Sequence, residues 1–216
     1  MDIHAVMKSL SIERSIFHLE SDFQFAFAWE IQKHNPESKI RLEVPFSFDK
    51  RGRIDVVVRT DDGIIPIELK YLKKKLKCEI DGEDFLLAEG VNDMDMYSCM
   101  SDIERLESYS EQLPGFSVGY ALWLTNNPAY WENAFSNKAS YYKPFHAPDG
   151  SVKTGEMYYE SINEKTGRPP QILNEKAYSK PVLLNGSYTI RWHEYSVLDV
   201  PQNGLFKYAV VKVPND

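Results

Sequence analysis

Hydrophobic positions along the chain change period several times, and each change marks an element. Residues 1–14 are a polar lead-in with room for a short helix. Over 15–34, Phe23, Phe27 and Ile31 recur at four-residue steps, the spacing of one helical face, and Ser21-Asp22-Phe23-Gln24 has capping-box spacing. Asn35-Pro36 ends that helix. Phe25, Ala28 and Trp29 make its other faces apolar too, which predicts a well-buried helix. Residues 39–48 alternate as a strand and, through the turn 49–52, would pair with the run that follows. Two β-branched runs, 54–59 and 64–70, flank Asp61-Asp62-Gly63 and predict a hairpin, and 77–87 predicts a second one around Asp81-Gly82.

The clearest amphipathic helix covers 93–113, with Met96, Cys99, Ile103, Leu106 and Leu113 as its apolar stripe. Beside the stripe run Ser98, Asp102, Arg105 and Tyr109, a polar line expected to face solvent with Asp102 and Arg105 as a local ion pair. Pro114-Gly115 stops the helix, and 116–125 reads as a buried strand suited to parallel addition. From 128 to 180 the chain is rich in Tyr, Asn, Lys, Gly and Pro, which predicts loops and short strands, and 183–197 and 205–213 read as further strands. The expected class is α/β: a core over 1–127 and a strand-rich C-terminal elaboration over 128–216, packed on the same domain.

Register makes the hairpin a candidate site. If Asp62-Gly63 is a two-residue loop, Asp61 pairs with Ile64, Val57 lies opposite Glu68, and Asp55 lies opposite Lys70. Asp55, Glu68 and Lys70 then share one face, a result that any even loop length preserves and any odd one destroys. The two acids would stand roughly 5 to 8 Å apart at Cβ, close enough to ligate one divalent ion at about 2.1 Å. Lys70 would reach a water or phosphate oxygen on that ion. The plainer alternative is a cross-strand ion pair on a half-exposed hairpin. Against it, Glu68 sits inside IIPIELKYL, where an acid is costly unless paired or metal-bound.

At these residues the chain resembles the PD-(D/E)XK nuclease superfamily and its restriction-endonuclease-like fold. The match is Asp55, twelve residues, then Glu68-Leu69-Lys70, on a hairpin that follows an acid-bearing helix and precedes a helix and a strand. It spans approximately residues 15–127. The resemblance implies a core of helix, mixed central sheet, helix and strand, with Asp55 and Glu68 holding Mg²⁺ or Mn²⁺ and Lys70 positioning or polarising the attacking water. It implies a third acid from the first helix, for which Glu20 is the better match and Glu30 the competitor. Ile54 stands where the family usually has proline. The Q-x-x-x-Y motif of the RecB-like branch corresponds to Asp93-Met94-Asp95-Met96-Tyr97, which keeps the tyrosine and lacks the glutamine. Tyr97 is therefore a candidate on the substrate side, with Arg105 as a phosphate ligand and Lys73 and Lys74, from a run of five lysines in 70–77, as phosphate contacts. Glu43 could approach the site from its strand. The implied activity is metal-dependent hydrolysis of phosphodiester bonds, with DNA ahead of RNA, and paired cleavage of two strands would favour a homodimer or a protein partner. The competing expectation is a non-catalytic module on the same fold that recruits a protein or a nucleic acid.

Composition adjusts this picture in three places. The 216 residues are 43% hydrophobic and 13% aromatic, enough for a proper core. Two cysteines give neither a disulfide framework nor zinc spacing, and neither an apolar signal region nor a run of about 18 apolar residues occurs, so the expectation is a cytoplasmic protein with no membrane partner. The net charge of −7 opposes extensive phosphate contact, although cations bound at an acidic site would offset part of it. The aromatics of 141–146 read as packing anchors ahead of base-stacking groups, and His193 reads as structural.

Overall fold

A computed structural model describes residues 1–48, 52–90, 92–133, 141–159 and 180–215. Helices α1 (Ile3–Glu13) and α2 (Glu20–His34) lead into three antiparallel strands, β1 (Lys39–Pro45), β2 (Arg53–Thr60) and β3 (Gly63–Leu72). A small hairpin follows, β4 (Leu76–Ile80) with β5 (Glu83–Leu87), and then α3 (Asn92–Gln112) crosses to β6 (Val118–Thr125), which pairs with β3 in parallel. Beyond it β7 (Val152–Met157) and β8 (Val182–Thr189) form a separate ribbon, while β9 (Trp192–Val197) and β10 (Leu205–Pro214) extend the central sheet. The result is an α/β architecture around a mixed six-stranded sheet in the order β1-β2-β3-β6-β10-β9. Of the expected turn 49–52 and the loop-rich stretch 128–180, residues 49–51, 134–140 and 160–179 lie outside the described residues.

Alternation along the strands builds two apolar layers. Val56, Val58, Ile67, Leu69, Leu122 and Leu124 meet α1 and α2 on one face, while Val57, Leu72, Ala121 and Trp123 meet α3 on the other. The sheet's middle strands are buried on both faces, as their β-branched runs require. Among the described residues no helix is long and apolar enough to cross a membrane.

Two local expectations are corrected. Helix α2 buries Phe23, Phe27 and Ile31, but Phe25 and Trp29 are 62% and 60% exposed, because the helix lies on the sheet with one face only. Its N-cap is Leu19, without a side-chain cap, and Asp22 instead accepts a bond from the His18 amide at 3.0 Å and pairs with Arg14. The hairpin turn is Asp61-Asp62, with Thr60 paired to Gly63. Gly63 is drawn into the strand because Ile64 N donates to Gly115 O at 2.7 Å and Ser117 N to Ile64 O at 2.9 Å. A Cβ on Gly63 would lie 2.6 Å from that Gly115 oxygen, at a backbone φ of +127°. The loop still has two residues, so the face parity of Asp55, Glu68 and Lys70 survives the shift.

Candidate active site

The site forms where β2 and β3 part. Their ladder runs from Thr60–Gly63 to Val56–Ile67, and beyond it side chains stand in for the strand partner. Leu69 N donates to Asp55 Oδ2 at 2.6 Å and Tyr71 N to Glu20 Oε2 at 2.8 Å. Two carboxylates, one from β2 and one from the first residue of α2, thus occupy successive amides on one edge of β3. The helix start favours the negative charge of Glu20. One turn further along α2, Gln24 donates to Asp55 O at 2.7 Å and to Glu43 Oε1 at 2.8 Å, tying the helix to β1 and β2. Glu43 itself holds φ of 53°, a left-handed backbone uncommon outside glycine, beside the same parting.

Glu68 and Lys70 meet α3 instead. Arg105 Nη2 lies 2.8 Å from Glu68 Oε1, and Lys70 Nζ lies 3.2 Å from Asp102 Oδ2. The helical residues three apart therefore pair with strand residues two apart, not with each other, which corrects the solvent-facing reading of this line. Asp102 is 4% exposed and Tyr109 is buried too. The physical reason is Glu68, only 1% exposed, whose charge needs a partner inside the protein. Arg105 also donates to Arg53 O at 2.7 Å.

Burial dominates the electrostatics. It pushes Glu68 well above the usual carboxylate range, with Asp102 adding to the shift and Arg105 opposing it. Asp55 is pushed up by burial against the Leu69 amide and Lys70, with Glu20 and Glu43 contributing in the same upward direction. Asp102 is also raised by burial, against the pull of Lys70 and Arg105. For Lys70, burial works downward, but Asp102, Glu20 and Asp55 outweigh it and hold the amine firmly as ammonium.

The other candidates separate clearly. Glu30 is enclosed by Ser9 at 2.5 Å, Lys33 at 2.9 Å and His34 at 3.3 Å, a packing role that leaves Glu20 as the helical acid at the motif. Tyr97 is buried, donates to Lys180 O at 3.1 Å and packs on Phe145 and Tyr159, so its ring serves the core. Lys73 lies with Nζ 5.6 Å over the Tyr71 ring, and Lys74 has its amide on Asn126 Oδ1 at 2.7 Å, both half-buried just past β3. Tyr141 bonds Asp93 and Phe145 is fully buried, so the 141–146 aromatics pack locally. His193 has aromatic company, with its ring 4.7 Å from His4 and 5.4 Å from Tyr208. The sequence reading placed Asp102 in a surface pair with Arg105 and Gln24 in a capping box, and missed both as neighbours of the site. The available signal for Asp102 was a charge order, acid then base on both helix and strand, which pairs crosswise as Asp102 with Lys70 and Arg105 with Glu68.

The donor set fits a hard divalent cation in part. Asp55 and Glu20 are oriented by main-chain amides beside Lys70, and oxygen ligands of this kind suit Mg²⁺ or Mn²⁺. Glu68 Oε1 is buried without a well-directed hydrogen bond among the described residues, yet Arg105 stands against it. Among the described residues no group of three or more carboxylate, histidine or cysteine side chains already converges on a metal position. Compared with known proteins, the chain matches no family model, no curated protein and no solved structure at a significant level.

Proposed function

We propose that the chain is a divalent-metal-dependent nuclease on a PD-(D/E)XK-like core. The observation that carries this reading is the seating of Asp55 and Glu20 on successive β3 amides where β2 and β3 part, beside Glu68 and Lys70 of the same strand, within an order of helix, antiparallel meander, helix and parallel strand. Mg²⁺ or Mn²⁺ would be held by Asp55 and Glu20, with Glu68 alongside. The ion would polarise a phosphoryl oxygen and make a bound water more acidic. The ammonium of Lys70, fixed by Asp102, supplies positive charge where negative charge develops on the phosphate. The amides of Leu69 and Tyr71 hold the two carboxylates in orientation before substrate arrives. DNA as the substrate rests on analogy of fold alone.

Calorimetric titration of Mn²⁺ into the wild type and Asp55→Ala, followed by cleavage assays on single-stranded, duplex and branched DNA, tests the reading. The expected result is binding and cleavage that both disappear in Asp55→Ala. Undiminished cleavage by Asp55→Ala, Glu68→Gln and Lys70→Ala would overturn it. A second reading, a non-catalytic binding module, draws support from the ion pairs that already neutralise Glu68 and Lys70. It predicts no metal binding and a partner whose affinity ignores Asp55.

A further inference from the structure

Charge at the site does not balance. Glu20, Asp55, Glu68 and Asp102 bring four carboxyl groups to Lys70 and Arg105, so acidic groups outnumber basic ones even before Glu43 is counted. The six groups are not equivalent. Asp55 and Glu20 rest on neutral amides, whereas Glu68, the motif acid expected on the metal, holds a guanidinium at 2.8 Å.

We propose that Arg105 is the internal counter-cation of Glu68 and competes with a divalent ion for that carboxylate, so the three-acid site assembles only as the guanidinium swings away. This inference rests on the metal-dependent reading above. Glu68 cannot leave instead, because it is 1% exposed on a central strand, where its ionised form is held only against a positive charge. Its Oε1 makes no well-directed hydrogen bond among the described residues, so the present contact is an ion pair that a better-placed cation can replace. Arg105 has somewhere to go. Its side chain is 32% exposed and it also holds the carbonyl of Arg53. It borders a cavity of about 490 Å³ lined by Ser101 and Glu104, where the Glu104 carboxylate is an alternative anion for the guanidinium. The Tyr109 ring, 6.0 Å from the guanidinium, gives the swing a cation–π support.

The test compares Mn²⁺ affinity by calorimetry in the wild type, Arg105→Gln, the double variant Asp55→Ala/Arg105→Gln, and Arg59→Gln, which removes an exposed positive charge elsewhere on β2. Arg105→Gln should bind about tenfold or more tightly, with no such gain in Arg59→Gln and none in the double variant. Equal or weaker binding by Arg105→Gln, beside a wild type that does bind, overturns the competition and leaves the nuclease reading standing. Absence of binding in both overturns both readings. Since Arg105→Gln leaves Glu68 without its cation and could fail to fold, the wild type carries a second measurement. In ¹⁵N-labelled protein the Arg105 side-chain Nε–H resonance, assigned by its loss in Arg105→Lys, should shift as Mg²⁺ is added. A resonance that stays in place at saturating Mg²⁺ overturns the inference.

Discussion

Lys70 Nζ sits 3.2 Å from Asp102 Oδ2, so the lysine of the motif is anchored by a buried acid on a helix more than thirty residues further along the chain. Asp102 is the strongest upward influence on the Lys70 amine. Asp102→Asn keeps the shape and removes the charge, and on the proposed nuclease reading the expected result is cleavage reduced about 10- to 100-fold. Its alkaline limb should also move to lower pH, because Lys70 loses its proton more readily without that anion. A pH–rate profile, with circular dichroism to establish folding, checks both parts.

The two acids of α2 should answer differently to removal. Glu30→Ala breaks a cluster whose partners Lys33 and His34 are half-exposed and should cost about 1 kcal/mol of stability, while leaving Mn²⁺ affinity unchanged. Burial works to raise the Glu30 carboxyl, but Ser9 and Lys33 outweigh it and lower it below the usual range. Its contribution is therefore present above the ordinary carboxylate pKa and lost as pH falls through the lowered one, so wild type and variant should converge in acid. Glu20→Ala should weaken Mn²⁺ binding and also cost on the order of 1 kcal/mol, because it leaves the Tyr71 amide without its acceptor.

Two buried bases in the C-terminal half contribute to the pH response of stability, with windows on opposite sides of neutrality. Burial lowers His146 from 6.5 to about 4, so the unfolded chain takes up a proton in that window while the fold resists it. The His146 contribution should fall by on the order of 2 kcal/mol between pH 6.5 and 4, read as the difference in slope between the wild type and His146→Gln in denaturant titrations. Lys153, whose ammonium donates to Pro144 O at 2.9 Å, is lowered from 10.5 to about 8 by burial. Below pH 8 both states are charged and the fold bears the full cost. Lys153→Met should therefore stabilise at pH 7 by on the order of 1 to 2 kcal/mol, with the gain vanishing above about pH 10.5.

Gly63→Ala should be costly out of proportion to its size. The added methyl meets Gly115 O at 2.6 Å at a φ that alanine avoids, so a loss on the order of 2 to 3 kcal/mol is expected. Because Gly63 sets the β2–β3 register, Mn²⁺ affinity should drop along with the melting temperature, and a titration at low temperature separates the two effects.

These residues also show how much the sequence could reveal. The hairpin site was legible through parity: moving the turn to Asp61-Asp62 shifts the partners by two residues and keeps the faces, so a misplaced register still grouped Asp55, Glu68 and Lys70. The misplacement arose from the approach of Gly115, a contact fifty residues distant that no local turn rule contains. Asp102 was illegible for a related reason. Helical periodicity sorts residues by polarity, and a charge buried to meet another charge carries the polarity of a surface one. The exposure of Phe25 and Trp29 inverts the same rule, since apolar pattern alone does not show how many faces of α2 the sheet covers.

The amides of Leu69 and Tyr71 carry one more consequence. Any cation that pulls on Asp55 or Glu20 acts also on the bonds by which these carboxylates close the open edge of the sheet's central strand. Occupancy of the site and local breathing of that strand then become one variable. Two protons that would otherwise exchange as slowly as the core become sentinels, quickening or freezing as the acids release or tighten their grip.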